Sequence, residues 1–495
     1  MLHRTISRFC GVAIAAGFAS SLLFSATSYA ADFGGDCCAD LEERIAELEA
    51  TTVRKGNRKV SLFIYGEVNQ SVMFWDDQAE SNAYVLTNST TKNKVGFEGQ
   101  ARINSEWTAG YRIELDLSIA ASDFADQGNA SFVNYNRTAG TAFIDSFTGV
   151  GDDGPTPVRI RHANWFLKND RFGRVIVGQG SQATDGIAEI DLSGSTSVAL
   201  SSVETWNETF FVRDEDGFSP QIAGRATIGA LLNGQGSPSF IADLFIGNLD
   251  GGRGNFVHYV SPSFAGFTFS AAWGEDDDWD VALRYAGTVR DFQVAAGIGY
   301  RDGVTVDTET LLDLTNNVEL DQKALVASGS ILHQPTGLFA TFAGGQVEYD
   351  PVNGSFFSLN DPETGAALND FINGQIALED AKYFYAKAGV FRKFMPIGKT
   401  SIYGEYYTAW DIGLDLANTN VVSIFRSQDD LLEQSHMIGF GVVQHIDSAA
   451  MEVYAAYRHY WADDVTDLAF QIRNGQPGDY DIQMDTVMTG ARIKF

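Results

Sequence analysis

Long apolar runs are missing from this 495-residue chain. Beyond residue 30 it nowhere reaches the roughly 18 consecutive apolar residues that a membrane-crossing helix requires, so any membrane segment has to be built from strands. Positive charge is scarce. Lys and Arg number 34 against 64 Asp and Glu, a formal net charge of -30. Such acidity argues against a nucleic-acid partner. There are three cysteines. Cys10 falls among the first thirty residues, and the vicinal pair Cys37-Cys38 is too close for an ordinary bridge without strain. No further Cys or clustered His completes a metal site, which leaves inert thiols or a link between neighbouring chains. His162, His258, His333, His436, His445 and His459 are scattered without metal spacing. Catalytic signatures are also missing. There is no Gly-x-Ser-x-Gly and no His-Glu-x-x-His, and Gly297-Ile298-Gly299 and Gly439-Phe440-Gly441 lack the third glycine of a nucleotide loop. Nothing in the chain points to an enzyme.

What is present starts with an address. Arg4 and Arg8 precede an apolar run from Phe9 to Phe24, and Ser28-Tyr29-Ala30 supplies a small-x-small cleavage site, so residues 1–30 are expected to be a secretory signal peptide. Residues 31–58 read as a short amphipathic helix and linker. Asp40-Leu41-Glu42-Glu43 resembles a capping box, Leu41, Ile45 and Leu48 share one stripe, and Arg54, Lys55 and Gly56 give a basic last turn and a stop. Two heptads are too few to hold a coiled coil alone. The stripe either packs on its own domain or zips with copies from other protomers. The second is the expectation here, with the helix on the periplasmic side.

From Lys59 to Phe495 the period is two. Val60, Leu62, Ile64, Val68, Val72 and Phe74 share a face against Ser61, Tyr65, Glu67, Asn69 and Ser71. Tyr111, Ile113, Leu115, Leu117 and Ile119 oppose Arg112, Glu114, Asp116 and Ser118. Faces so charged cannot be a core. Each strand has either a buried and a solvent side, or a lipid side and a watery lumen side. Sixteen such runs recur, an even count, joined by connections that alternate between tight and long. Among the tight ones expected are Thr108-Ala109 and Thr288-Val289. The last strand puts Val487, Thr489, Ala491, Ile493 and Phe495 outside and stops on an aromatic. The expected class is all-β, a transmembrane antiparallel barrel with hydrocarbon outside and water within.

One connection, Ser181 to Arg253, is too long to be a plain loop. At this point the chain resembles the trimeric general porins of Gram-negative bacteria, the alphaproteobacterial type in particular. The resemblance rests on the helix Asp40 to Lys55 running through Gly56-Asn57-Arg58-Lys59-Val60-Ser61-Leu62 into the first strand. It also rests on Ser261-Pro262-Ser263-Phe264-Ala265-Gly266-Phe267, on Trp279-Asp280-Val281-Ala282-Leu283-Arg284-Tyr285, and on the terminal Phe495. It implies a homotrimer of sixteen-stranded barrels whose third outer loop folds inward and narrows the pore. It further implies loop acids, here Asp185, Glu189 and Asp191, facing a basic wall, here Arg102, Arg112, Arg159 and Arg161. For each arginine a structural ion pair within the wall fits the residues equally well. The apolar pieces Ile222 to Leu232 and Phe240 to Ile246 could instead add a hairpin, making eighteen strands and a sugar-type channel.

The expected function is passive diffusion of small hydrophilic solutes and ions through a water-filled outer-membrane channel, with no cofactor. The alternatives are a substrate-specific channel and a structural or adhesion barrel. Outer-membrane lipid and lipopolysaccharide are the expected surroundings. The acidic outer loops read as solvated tips, with weak Ca2+ or Mg2+ bridging to anionic lipid as the further reading.

Overall fold

Alternating apolar and polar side chains give each segment one face for hydrocarbon and one for water, and in lipid that pattern is stable only if no strand edge is left open. The computed structural model describes residues 60–118, 120–127, 158–210, 245, 249–274, 278–307, 319–351, 377–378, 381–410, 414–415, 434–466 and 479–495. In it sixteen antiparallel strands close into a barrel. They are β1 (Ser61–Asp76), β2 (Lys94–Arg102), β3 (Trp107–Asp116), β4 (Arg159–Asn169), β5 (Gly173–Ser181), β6 (Arg253–Val260), β7 (Phe267–Trp273) and β8 (Trp279–Val289). The second half comprises β9 (Phe292–Asp307), β10 (Glu319–His333), β11 (Leu338–Pro351), β12 (Ala381–Met395), β13 (Gly398–Trp410), β14 (Gln434–Ile446), β15 (Met451–Thr466) and β16 (Asp479–Lys494).

Each strand pairs with its neighbours in sequence, and β16 returns to β1, where Lys494 stands opposite Glu67 and Asp485 opposite Asp76. Gly66 and Phe495 complete the seam by exchanging N–H···O bonds of 2.9 and 3.0 Å. The other edge of β1 is shared. Ser61–Glu67 pair with β2, while Gln70–Asp76 pair with a short strand, Ser81–Thr87, that lies above it. Because β5 pairs directly with β6, nothing from the long connection stands between them in the wall, and the barrel closes at sixteen strands rather than eighteen.

The burial pattern is that of a wall inverted relative to a soluble sheet. Ile64, Val68, Phe74, Ile113, Leu283, Ile298, Leu325, Phe342, Phe384, Ile402, Phe440 and Ile493 point outward and are exposed. The faces opposite them carry Glu67, Glu114, Lys387, Glu405, Arg458 and Arg492, all buried. Water does not tolerate so large a belt of bare aliphatic side chains, whereas hydrocarbon does. Exposed aromatics gather toward both rims, with Phe172, Phe264 and Phe394 near the tight turns and Trp273 and Trp279 near the long loops, as in interfacial girdles.

Two turns fall elsewhere than expected. The β2–β3 turn is Ile103–Glu106, not Thr108-Ala109. Asn104 Oδ1 accepts the N–H groups of Glu106 and Trp107 at 2.9 Å each, which ends β2 early. The β8–β9 turn is Arg290-Asp291, not Thr288-Val289, with Arg290 at φ 54° and Val289 paired to Phe292. The expected signal peptide, the helix with Leu41, Ile45 and Leu48, the pair Cys37-Cys38, and Ile222 to Leu232 lie outside the described residues. So does Phe240 to Ile246, apart from Phe245.

Candidate functional site: the loop and the arginine wall

The connection after β5 leaves the wall at a fixed angle. Asp280 on β8, wholly buried, accepts the N–H groups of Ala183 and Thr184 at 3.0 and 2.6 Å and the Thr184 hydroxyl at 2.7 Å. A carboxylate taking three donors in this way clamps the root of the loop. From there residues 182–210 pass along the inward faces of successive strands. Ile187 packs with Ala282 and Val326. The Ser328 hydroxyl donates to the Ile187 carbonyl, and Ser330 Oγ accepts the Leu192 N–H at 2.9 Å. An added Cβ at Gly297 would meet the tip of Ile187 at 2.7 Å, so β9 is bare where the loop crosses it.

Further on, the loop is held by two ion pairs. Lys387 Nζ on β12 donates to Asp191 Oδ2 at 2.7 Å, Ser195 Oγ at 2.9 Å and the Ala199 carbonyl at 2.8 Å. Burial raises the Asp191 pKa, but Lys387 and the donors of Ser193 outweigh it and hold the carboxyl below its ordinary range. Arg458 on β15 bonds Glu405 on β13 at 2.9 Å, donates to the carbonyls of Val203 and Leu200, and lies 4.4 Å over the Trp206 ring. Around these pairs Val198, Val203, Trp206 and Phe210 form one apolar cluster with the inward tyrosines 383, 385, 403, 407, 454 and 460. The core of the molecule therefore lies inside the barrel, between the loop and the strands β10–β16 and β1.

The remaining arc, β2–β6, carries the other half of the expected site. Glu114 on β3 is buried, accepts Tyr65 Oη at 2.8 Å and Arg112 Nη2 at 2.7 Å through Oε2, and takes Arg161 Nε at 2.8 Å through Oε1. A β-bulge makes this possible. The register slips at Glu114/Leu115, so that Arg161 and His162 both approach the one carboxylate. Arg112 also donates through Nε to Tyr65 Oη at 2.7 Å. Arg159 stands 5.0 Å over the Phe124 ring. Arg102 ends β2 beside the tight turn, two inward positions below Glu98, which faces Arg112. Among the loop acids, Asp185 meets Arg253 of β6 at 3.3 Å, Asp191 meets Lys387, and Glu189 is exposed. Arg112 and Arg161 are thus brought together on Glu114, and two of the three loop acids, Asp185 and Asp191, pair with Arg253 and Lys387, cations that the sequence pattern does not single out.

Buried carboxyls elsewhere on the loop are strained electrostatically. Burial, with Asp123 adding to it and Lys92 opposing, raises Glu208 to about 7. Burial likewise lifts Glu204 well above its ordinary value, and its Oε2 has no hydrogen-bond partner.

A closed sixteen-stranded wall, oily outside and charged inside, with a loop laid along the inner face of most of its strands, is the geometry of a narrowed channel. The sequence profile of the Gram-negative porins matches residues 12–466. The chain belongs to the Gram-negative porin family. It is an integral β-barrel of the outer membrane. Among solved structures, this porin is similar to an anion-selective porin from Comamonas acidovorans, at 14% identity over 88% of this chain and 100% of that one, TM-score 0.49. It is also similar to a loop-deleted OmpT, an outer membrane protein of Vibrio cholerae, at 12% identity over 88% and 100%, TM-score 0.47. A third is Salmonella typhi OmpF in complex with daunomycin, at 11% identity over 88% and 98%, TM-score 0.44. No curated protein matches the chain in sequence.

Proposed function

We propose that this porin is a general diffusion channel for small hydrophilic solutes and ions, working without any chemical step, and that it assembles as a homotrimer. The observation that carries the reading is the arc of wall that the loop leaves uncovered. Residues 182–210 pack on β8–β16 and reach round to β1 and to the segments at 88–90 and 122–125, whereas Arg112 and Arg161 on β3 and β4 stay only half-buried, so the water path runs between the loop and that arc. Asp185 and Glu189 are the acidic side of the constriction and Arg112, Arg159 and Arg161 the basic side, while Asp191, sealed against Lys387, anchors the loop and Arg102 lies apart from it beside the tight turns. Opposed charges across a narrow aqueous gap set a transverse field, and pore width and wall charge decide what passes.

Planar-bilayer recording tests this directly. Large currents in KCl that rise linearly with salt and show weak ion selectivity are expected. Saturation by a single sugar would instead support a substrate-specific channel, and absence of current would leave a structural barrel.

A further inference from the structure

Below the constriction the inward face carries a row of three cations, two of them without an ion-pair partner among the described residues. The register sets Arg102 opposite Thr108, Thr108 opposite Lys168 and Lys168 opposite Arg174, so three cations on β2, β4 and β5 share one row beside the tight turns. Higher up, the named guanidiniums are satisfied. Arg112 and Arg161 share Glu114, Arg253 meets Asp185, Arg284 donates to Ser270 and to the Asp185 carbonyl, and Arg492 takes Glu452. Among the described residues no carboxylate lies within 4.0 Å of Arg102 or Arg174. Lys168 has only Asp170, 3.8 Å away on a turn and 92% exposed, an arrangement worth little. The nearest inward acid on β2 is Glu98, two inward positions above Arg102.

Arg174 is also held in place. Its Cζ lies 3.8 Å over the Phe166 ring. That ring lies flat against the wall because its neighbour on β3 is Gly110, where an added Cβ would sit 2.2 Å from Phe166 Cζ. Glycine, ring and guanidinium form a three-layer stack. One face of the guanidinium is covered by the ring, Nε is buried without a hydrogen-bond partner, and among the described residues no carboxylate lies within ion-pair distance of the remaining nitrogens, Glu98 attracting them only from farther off. A guanidinium desolvated on one side and fixed by stacking presents its free edge to an oxyanion with little ordering left to do.

We infer that Arg174, with Lys168 and Arg102 in its row, forms an anion-binding station at the turn-side mouth, taking small oxyanions and favouring doubly charged ones such as phosphate over acetate. The station rests on the channel reading above, but it lies apart from the loop. It lets the porin retain an anion transiently beside the tight turns after the constriction has been passed.

The full-length protein in planar bilayers, with inorganic phosphate added to symmetric KCl, tests the inference. Phosphate should reduce the chloride-carried current saturably, at lower concentration from one side of the membrane than from the other, and acetate should need about tenfold more. In Arg174→Gln the half-blocking phosphate concentration should rise about tenfold while KCl conductance stays within about twofold. A wild-type current that falls only linearly with phosphate, equally from both sides, would overturn the station while leaving the channel intact. Unchanged block in Arg174→Gln would do the same. If that variant fails to assemble, the side-dependence in the unaltered protein still decides, with Lys168→Gln as the second variant. No KCl current at all would count against the channel reading itself and take the station with it.

Discussion

Lys387 Nζ lies 2.7 Å from Asp191 Oδ2, with 1% and 2% of the two side chains exposed, so a strand on one side of the barrel and the loop that crosses the lumen are joined by a dry ion pair. Removing one partner of such a pair strands the other as an uncompensated buried charge, a loss of roughly 3–5 kcal/mol. Lys387→Met should therefore loosen residues 182–210 and raise open-channel current noise. Lys387→Met with Asp191→Leu should recover much of the quiet current. Equal noise in the single and double variants would mean that the pair does not anchor the loop.

Glu114 is the common acceptor for Tyr65, Arg112 and Arg161. Glu114→Gln removes one negative charge and releases two guanidiniums into the lumen. The expected outcome is a shift of the reversal potential toward anions under a KCl gradient, most pronounced at low salt, where screening is weakest. A reversal potential equal to that of the parent protein would show that these arginines lie out of the ion path.

Glu208 gives the loop a pH dependence of definite sign. Its pKa stands near 7 in the fold, above the ordinary 4.5, so the folded form binds the proton more tightly. The stabilisation is complete below about 4.5 and disappears as pH rises through about 7. Resistance to denaturant should fall across that window, and Glu208→Gln should flatten the slope, as urea titrations at pH 4, 5.5 and 7.5 would reveal. A variant that keeps the parent's slope would place the dependence on another group.

Gly96 faces Tyr65 so closely that an added Cβ would lie 2.2 Å from the ring. Gly96→Val should push Tyr65 off Arg112 and Glu114 and destabilise the wall by about 1–3 kcal/mol. Thermal unfolding in detergent is the measurement, and a melting temperature unchanged from the parent would contradict the close approach.

Much of this fold was legible because the rhythm of two is imposed by hydrocarbon on one side and water on the other. The faces of β1 and β3 follow from Val68 against Glu67 and Ile113 against Glu114 with no further information. The turn at Ile103–Glu106 was misplaced because Asn104 and Glu106 continue the polar alternation of β2. Only the Asx geometry at Asn104 marks the break. Arg290 was missed as a turn residue because a positive φ at a non-glycine leaves no trace in periodicity. The path of the loop was harder still. Lys387, Glu405 and Arg458 look like ordinary lumen charges in sequence, and their pairing with the loop depends on contacts between segments far apart in the chain. A usable signal did exist. Tyr383, Tyr385, Tyr403, Tyr407, Tyr454 and Tyr460 all occupy inward positions, and so many rings on a face meant for water imply a second layer packed over them.

The mutual bonds of Gly66 and Phe495 fasten β16 to β1 and so remove the last open edge of the sheet. A copy lacking β16 would be a sheet with two raw margins, each a template for joining another chain.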